Sequence, residues 1–148
     1  MSFTTPCFIR KNTSSLREKL EEMGYDLCVC TKKSGSNCWL LTYNNGTVHV
    51  VHPLEQGDYM AEVTNGISRD VDCGDDENLF IALAALRDDT NHNQWFTNGK
   101  EWIIYMDNTD KGGLSYFQYF AMPRDINLEN FHKATPTEII AHFKQKES

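Results

Sequence analysis

The stretch Leu27 to Cys38, LCVCTKKSGSNC, places three cysteines around a short cationic loop. Three kinds of chemistry suit such a stretch: thiolate ligation of a metal, thiol nucleophilicity or redox, and capture of an anion. A tetrahedral zinc site needs four ligands, and no second close Cys/His pair accompanies Cys28, Cys30 and Cys38. In a strand, Cys28 and Cys30 share a face, and Cys38 joins them only in one pairing register. Free cysteine is among the most buried residue types, so these thiols read first as small core side chains. A nucleophilic cysteine needs a histidine or a helix N-terminus beside it. Cys73 comes nearest to that condition, but Asp75, Asp76 and Glu77 follow it and oppose a thiolate.

The loop itself fits an anion better than the cysteines fit a metal. Lys32 and Lys33 supply charge, Ser34 and Ser36 supply hydroxyls, and Gly35 leaves backbone amides open to approach. A solvated hairpin turn would use the same residues. His49 and His52 have the spacing of a metal pair, yet an odd separation on a strand points them to opposite faces. Asp88, Asp89, Asn91 and Asn93 begin like a calcium loop, but counting from Asp89 the required glycine is Gln94 and the closing glutamate is Lys100. No dinucleotide-binding glycine motif or nucleophile elbow is present, and sequence-adjacent carboxylates alone do not make an acid/base pair. No catalytic role, metal or cofactor is assigned.

Positioning these groups falls to hairpins and helices. Asn-Gly occurs at Asn45-Gly46, Asn65-Gly66 and Asn98-Gly99, each a hairpin signal because both residues tolerate positive φ. Two-residue turns would pair Tyr43 with Val48, Leu41 with Val50 and Trp39 with His52; they would also pair Glu62 with Arg69 and Trp95 with Trp102. A strand from Leu114 to Ala121, after Gly112-Gly113, extends the last hairpin into a meander. Helices are expected after Thr13, with Leu16, Leu20 and Met23 on one stripe and Gly24 ending it; after Gly74, with the apolar body LFIALAAL deep in the core; and after Thr135, where Pro136 and Glu138 complete a capping box. Phe8 to Thr13 and Phe131 to Thr135 look alike, and read as two separate strand-to-helix turns.

The meander is rich in rings. Tyr116, Phe117, Tyr119 and Phe120, with Trp95, Trp102 and Tyr105 on the preceding strands, put aromatics on both faces. One face is for helices to cover, and the other calls for a further helix, a second subunit or a planar ligand.

Bulk properties bound the answer. A chain of 148 residues with 40% apolar content supports one domain, 1–148. No leader or spanning segment is apparent, and five cysteines do not resemble a disulfide framework, which points to a cytoplasmic protein. A net charge of -7 disfavours bulk nucleic-acid binding, and residues 34–89 hold ten acidic against two basic side chains, which favours a cationic partner.

The blocks FIRKNTSSLREKLEEMGY, DENLFIALAALRDDT with QWFTNGKEW, and HKATPTEIIAHF resemble a group of small uncharacterised proteins of Bacteroides-type gut bacteria and their phages. That resemblance implies a mobile-element accessory protein working in the host cytoplasm, non-enzymatic, binding a host protein or sequestering a nucleotide signal. It carries no functional residue.

The sequence therefore predicts an α+β fold, a mostly antiparallel sheet of Asn-Gly hairpins packed with three helices. The expected function is a homo-oligomeric binding protein whose nucleotide-like ligand meets Lys32, Lys33, Ser34, Ser36, Trp95, Trp102 and Tyr105. The alternatives are an acidic inhibitor using Glu55 to Asp89 against a host factor, and a metal-dependent or Cys/His hydrolase using Cys28, Cys30, Cys38 or the histidines.

Overall fold

The computed structural model describes residues 3–91, 94–108, 114–119 and 128–145, the backbone alone for 106–108, 114–119, 128 and 145. Its elements are β1 (Cys7–Ile9), α1 (Ser14–Met23), β2 (Asp26–Leu27), α2 (Val29–Lys33), β3 (Trp39–Thr42), β4 (Thr47–Val51), α3 (Gln56–Thr64), β5 (Val71–Asp72), α4 (Glu77–Ala84), β6 (Trp95–Thr97), β7 (Trp102–Asn108), β8 (Leu114–Tyr119), β9 (His132–Lys133) and α5 (Pro136–Gln145). The α+β class is as expected. The strands form two sheets rather than one, ordered β2-β4-β3-β1-β5 and β8-β7-β6-β9. In the first, β1 runs parallel to β5 and β2 parallel to β4.

The three foreseen helices form where their caps lie. The Thr13 side chain accepts from the Leu16 N–H, and Gly24 ends α1 at φ 106°, a left-handed conformation costly for other residues. The Asp76 side chain accepts from the Asn78 and Leu79 N–H groups at the start of α4. At α5, the Glu138 N–H donates to Thr135 Oγ1 and the Thr135 N–H donates to Glu138 Oε1, closing the capping box. Helix α4 buries Leu79, Phe80, Ala82, Leu83 and Ala84 and packs against β1, α1 and α5.

Alternation along β1 and β3 divides the core. Cys7, Ile9 and Leu40 face α1 and α4 in a cluster that continues through Leu83 to Trp95 and Ile139. Phe8, Trp39, Leu41 and Val51 form a second, smaller cluster on the opposite face, under Tyr59, Met60 and Val63 of α3. Among the described residues, no helix is long and apolar enough to cross a membrane.

Three expectations are corrected. The first hairpin pairs Thr42 with Val48, Leu41 with His49, Leu40 with Val50 and Trp39 with Val51, one residue away from the expected register. Its turn accounts for the shift: the Tyr43 N–H donates to Thr47 O, the Gly46 N–H donates to Tyr43 O, and Gly46 stands at φ 87°. This is a three-residue loop with a glycine bulge rather than a two-residue turn. The third hairpin pairs Thr97 with Trp102 and Trp95 with Ile104, because Asn98 to Glu101 all belong to its loop. Asn98 Oδ1 accepts from the Lys100 and Glu101 N–H groups and shapes that loop.

Asn65-Gly66 makes no hairpin at all. It ends α3: the Ile67 N–H donates to Glu62 O, the Gly66 N–H to Val63 O, and Gly66 takes φ 77°. Those two bonds define a Schellman C-cap. Helices α2 and α3 were unforeseen, and the expected pairing of Glu62 with Arg69 is replaced by the helix end. The meander β6-β7-β8 is present, with Ile103 opposite Tyr119 and Tyr105 opposite Phe117. Gly112-Gly113, Phe120 and Ala121 lie outside the described residues, as do the side chains of Tyr116, Phe117 and Tyr119.

Candidate functional site

The residues expected to form one ligand site are divided between helix α2 with the loop after it and the strands of the second sheet. Lys32 and Lys33 occupy the last turn of α2, a helix packed on β4. Lys32 Nζ lies 2.9 Å from Glu21 Oε1, and Ser34 Oγ donates to the Cys30 carbonyl at 2.7 Å. Ser36 is exposed beyond them. Trp95, Trp102 and Tyr105 belong to the second sheet. Trp95 is buried, edge-on to Phe143 of α5, and Trp102 stacks on the His142 ring at 4.1 Å. The indole platform thus already carries a helix. Tyr105 lies beside Phe96, on the opposite face of the sheet.

His49 pairs with Leu41 on β4, in the layer where the expected register placed His52, and His52 lies beyond the end of that strand. His49 is exposed, edge-on to Tyr43, with Nε2 3.1 Å from Thr47 Oγ1. His52 Nδ1 lies 3.4 Å from Cys38 Sγ. A cysteine beside a histidine is nucleophile geometry in principle, but Cys38 is only 2% exposed, so its sulfur closes the end of the hairpin instead of facing substrate. Among the described residues, no group of three or more His, Cys, Asp or Glu side chains is placed to hold a metal. Asp89 engages Arg87 from within the broken calcium-like segment, and Asn93 lies outside the described residues.

Two features were not expected. The first is the pair Cys28 and Cys30. Their strand reading fails: Cys28 caps α2 and both are exposed, while Cys7, Cys38 and Cys73 are buried. Cys28 Sγ accepts from the Thr31 N–H at 3.4 Å and lies 3.1 Å from Thr31 Oγ1 and 2.6 Å from Cys30 Sγ. The Cys30 thiol, then the Thr31 hydroxyl and N–H, hold the Cys28 thiol down at about 7, and the same contact with Cys28 pushes Cys30 up. Buried Cys73 is the opposite case, pushed up by its contact with Cys7 and by burial.

The second feature is helix α3. Tyr59, Met60 and Val63 turn inward, and Glu55, Asp58 and Glu62 follow the outward stripe, all three exposed. The phenol of Tyr59 donates to Asp70 Oδ2 and its ring stands edge-on to Phe8 at 5.1 Å. Burial first, and the Asp70 carboxylate second, push the Tyr59 phenol far above the usual tyrosine range. At either end of the helix stands a large apolar side chain in water, Leu54 at 97% and Ile67 at 74% exposure. Tyr59, Met60 and Val63 repeat at helical spacing between Asp58 and Asn65-Gly66, which is the sequence signal that could have revealed α3.

The fold and these surfaces define, over the described residues, an α+β protein with an exposed acidic helix and an exposed dithiol. Comparison with protein-family models, with curated proteins and with solved structures found no match.

Proposed function

We propose that this chain is a non-catalytic protein-binding module that receives a basic partner surface on helix α3. The observation that carries the reading is the pair Leu54 and Ile67, held almost fully in water at the two ends of a helix whose outward stripe is acidic. Covering one such side chain is worth about 2 kcal/mol, a gain the isolated chain forgoes at both positions. Glu55, Asp58 and Glu62 add charge that selects a cationic surface and steers its approach. The excess of acidic residues over 34–89 extends the same field beyond the helix. The resemblance to phage and mobile-element proteins supports the same role, with a host protein as the partner.

The test uses an amphipathic Lys/Leu helical peptide as probe, titrated into the labelled full chain and followed by NMR and calorimetry. Shifts should concentrate on 54–67. Reversing Asp58 and Glu62 together to lysine should weaken binding about tenfold at low salt. Leu54→Ser with Ile67→Ser should weaken it comparably at moderate salt, where charge is screened. Shifts that avoid 54–67, or an affinity indifferent to both pairs of substitutions, would overturn the proposal.

A further inference from the structure

Side chains two apart on a helix do not face one another. Cys28 and Cys30 nevertheless touch, because Cys28 is the N-cap of α2 and has extended backbone, φ -74° and ψ 163°. That conformation folds its side chain back over the first turn, where a capping serine or threonine would accept the N–H three residues on. Here sulfur does so, accepting from the Thr31 N–H, and the second residue of the turn is itself a cysteine. The result is two exposed free thiols in direct contact, their sulfurs 2.6 Å apart. Thr31 anchors the turn: it is 1% exposed, and its hydroxyl lies 3.5 Å from Val48 O on β4. Ser34 fastens the other end of α2 to the Cys30 carbonyl.

We propose that Cys28 and Cys30 form a redox-active dithiol that exchanges with accessible disulfides, Cys28 attacking and Cys30 resolving. This goes beyond the docking surface on α3 and uses none of its residues. The Cys28 thiolate attacks a disulfide RS–SR′, forms the mixed disulfide Cys28–SR and expels R′S⁻, which takes a proton from solvent. The Cys30 thiol then gives up its proton, and its sulfur attacks Cys28 Sγ, forms the Cys28–Cys30 bond and expels RS⁻. Two thiols are oxidised by two electrons, and one disulfide is reduced to two thiols. The division of labour follows from the cap: Cys28 accepts the Thr31 N–H, a bond that favours its thiolate, and Cys30 beside it is left to resolve.

The test begins with the reduced full chain under native conditions, where a thiol reagent should titrate two cysteines rapidly and leave Cys7, Cys38 and Cys73 unreacted. With glutathione disulfide, the wild type should lose two hydrogens in mass, and peptide mapping should place the bond between Cys28 and Cys30. Cys30→Ser should instead accumulate one glutathione adduct on Cys28. Cys28→Ser should react several-fold more slowly, its fold checked by circular dichroism. A parallel arm with insulin distinguishes protein disulfides from small ones as the oxidant, and formation of the Cys28–Cys30 bond with either supports the proposal. Separate adducts on both cysteines with no internal bond in any glutathione buffer, or equal rates for the two single variants, would overturn it.

Discussion

Helix α3 is the element most easily lost, and Tyr59 is the residue that shows it. The helix has nine residues and buries none of them fully, so in isolation it would be marginal. What holds it to the sheet is Tyr59 against Phe8, with Met60 and Val63 alongside, and the Tyr59 hydroxyl on Asp70. Tyr59→Phe removes only the hydroxyl. A hydrogen bond to a charged acceptor is worth about 1.5–3 kcal/mol when buried, and roughly half that at a partly exposed site, so the loss should be about 1 kcal/mol. For a domain of this size that lowers Tm by about 3 °C. Tyr59→Ala also removes an edge-to-face ring contact of about 1 kcal/mol and about 2 kcal/mol of half-buried ring, for a total near 4 kcal/mol. That exceeds what Met60 and Val63 can retain, so the helix should undock before the sheet unfolds, and the loss measured by Tm should fall short of the sum. Hydrogen exchange separates the two events: amides of Gln56–Thr64 should lose protection in Tyr59→Ala while those of Leu79–Ala84 keep it. Equal loss in both segments, or a Tyr59→Phe protein with unchanged Tm, would refute the reasoning.

Alkylation of Cys28 should reach half its limiting rate near pH 7. At pH 6.5 about a quarter of it is thiolate against about one per cent of an ordinary thiol, which after its weaker intrinsic nucleophilicity leaves a rate about fivefold above that of glutathione. Cys30→Ala should move the half-point upward, and iodoacetamide kinetics across the pH range check both statements. Thr135→Ala should cost α5 about 1 kcal/mol, seen as a drop of about 3 °C in Tm at neutral pH. Glu138 is desolvated, which pushes it up, but the Thr135 N–H and His132 outweigh this and hold it below the usual glutamate range. Its depressed value stabilises the fold above the ordinary carboxylate pKa and is lost as pH falls through the folded value, so the Tm difference between wild type and Glu138→Gln should narrow below about pH 4. Phe80→Ala, at a fully buried position of α4, should cost about 3–5 kcal/mol in urea denaturation.

The sequence signals that could be read correctly are those with one physical meaning, and the misread ones have two. At Thr13 and at the Thr135–Glu138 box a capping residue is followed by apolar residues at helical spacing, and α1 and α5 begin there. Asn-Gly means only that the chain can take positive φ. At Gly46 and Gly99 this closes a hairpin, and at Gly66 it caps α3. Neither the turn type nor the register follows from the dipeptide, and a single extra loop residue sends Val50 to the layer of Leu40 instead of that of Leu41. Helix α2 was hidden because Val29, Cys30 and Thr31 favour strands; what makes it a helix is burial of Thr31 against β4, a tertiary effect. The same misreading concealed the dithiol. On a strand, Cys28 and Cys30 would share a face as core side chains; at a helix start they meet in solvent. Chemistry there depends on one backbone angle pair at Cys28, and the acidic stripe on α3 depends likewise on Gly66 ending a helix rather than turning a hairpin. A substitution that converts either cap to its alternative would erase a surface without touching any residue that forms it.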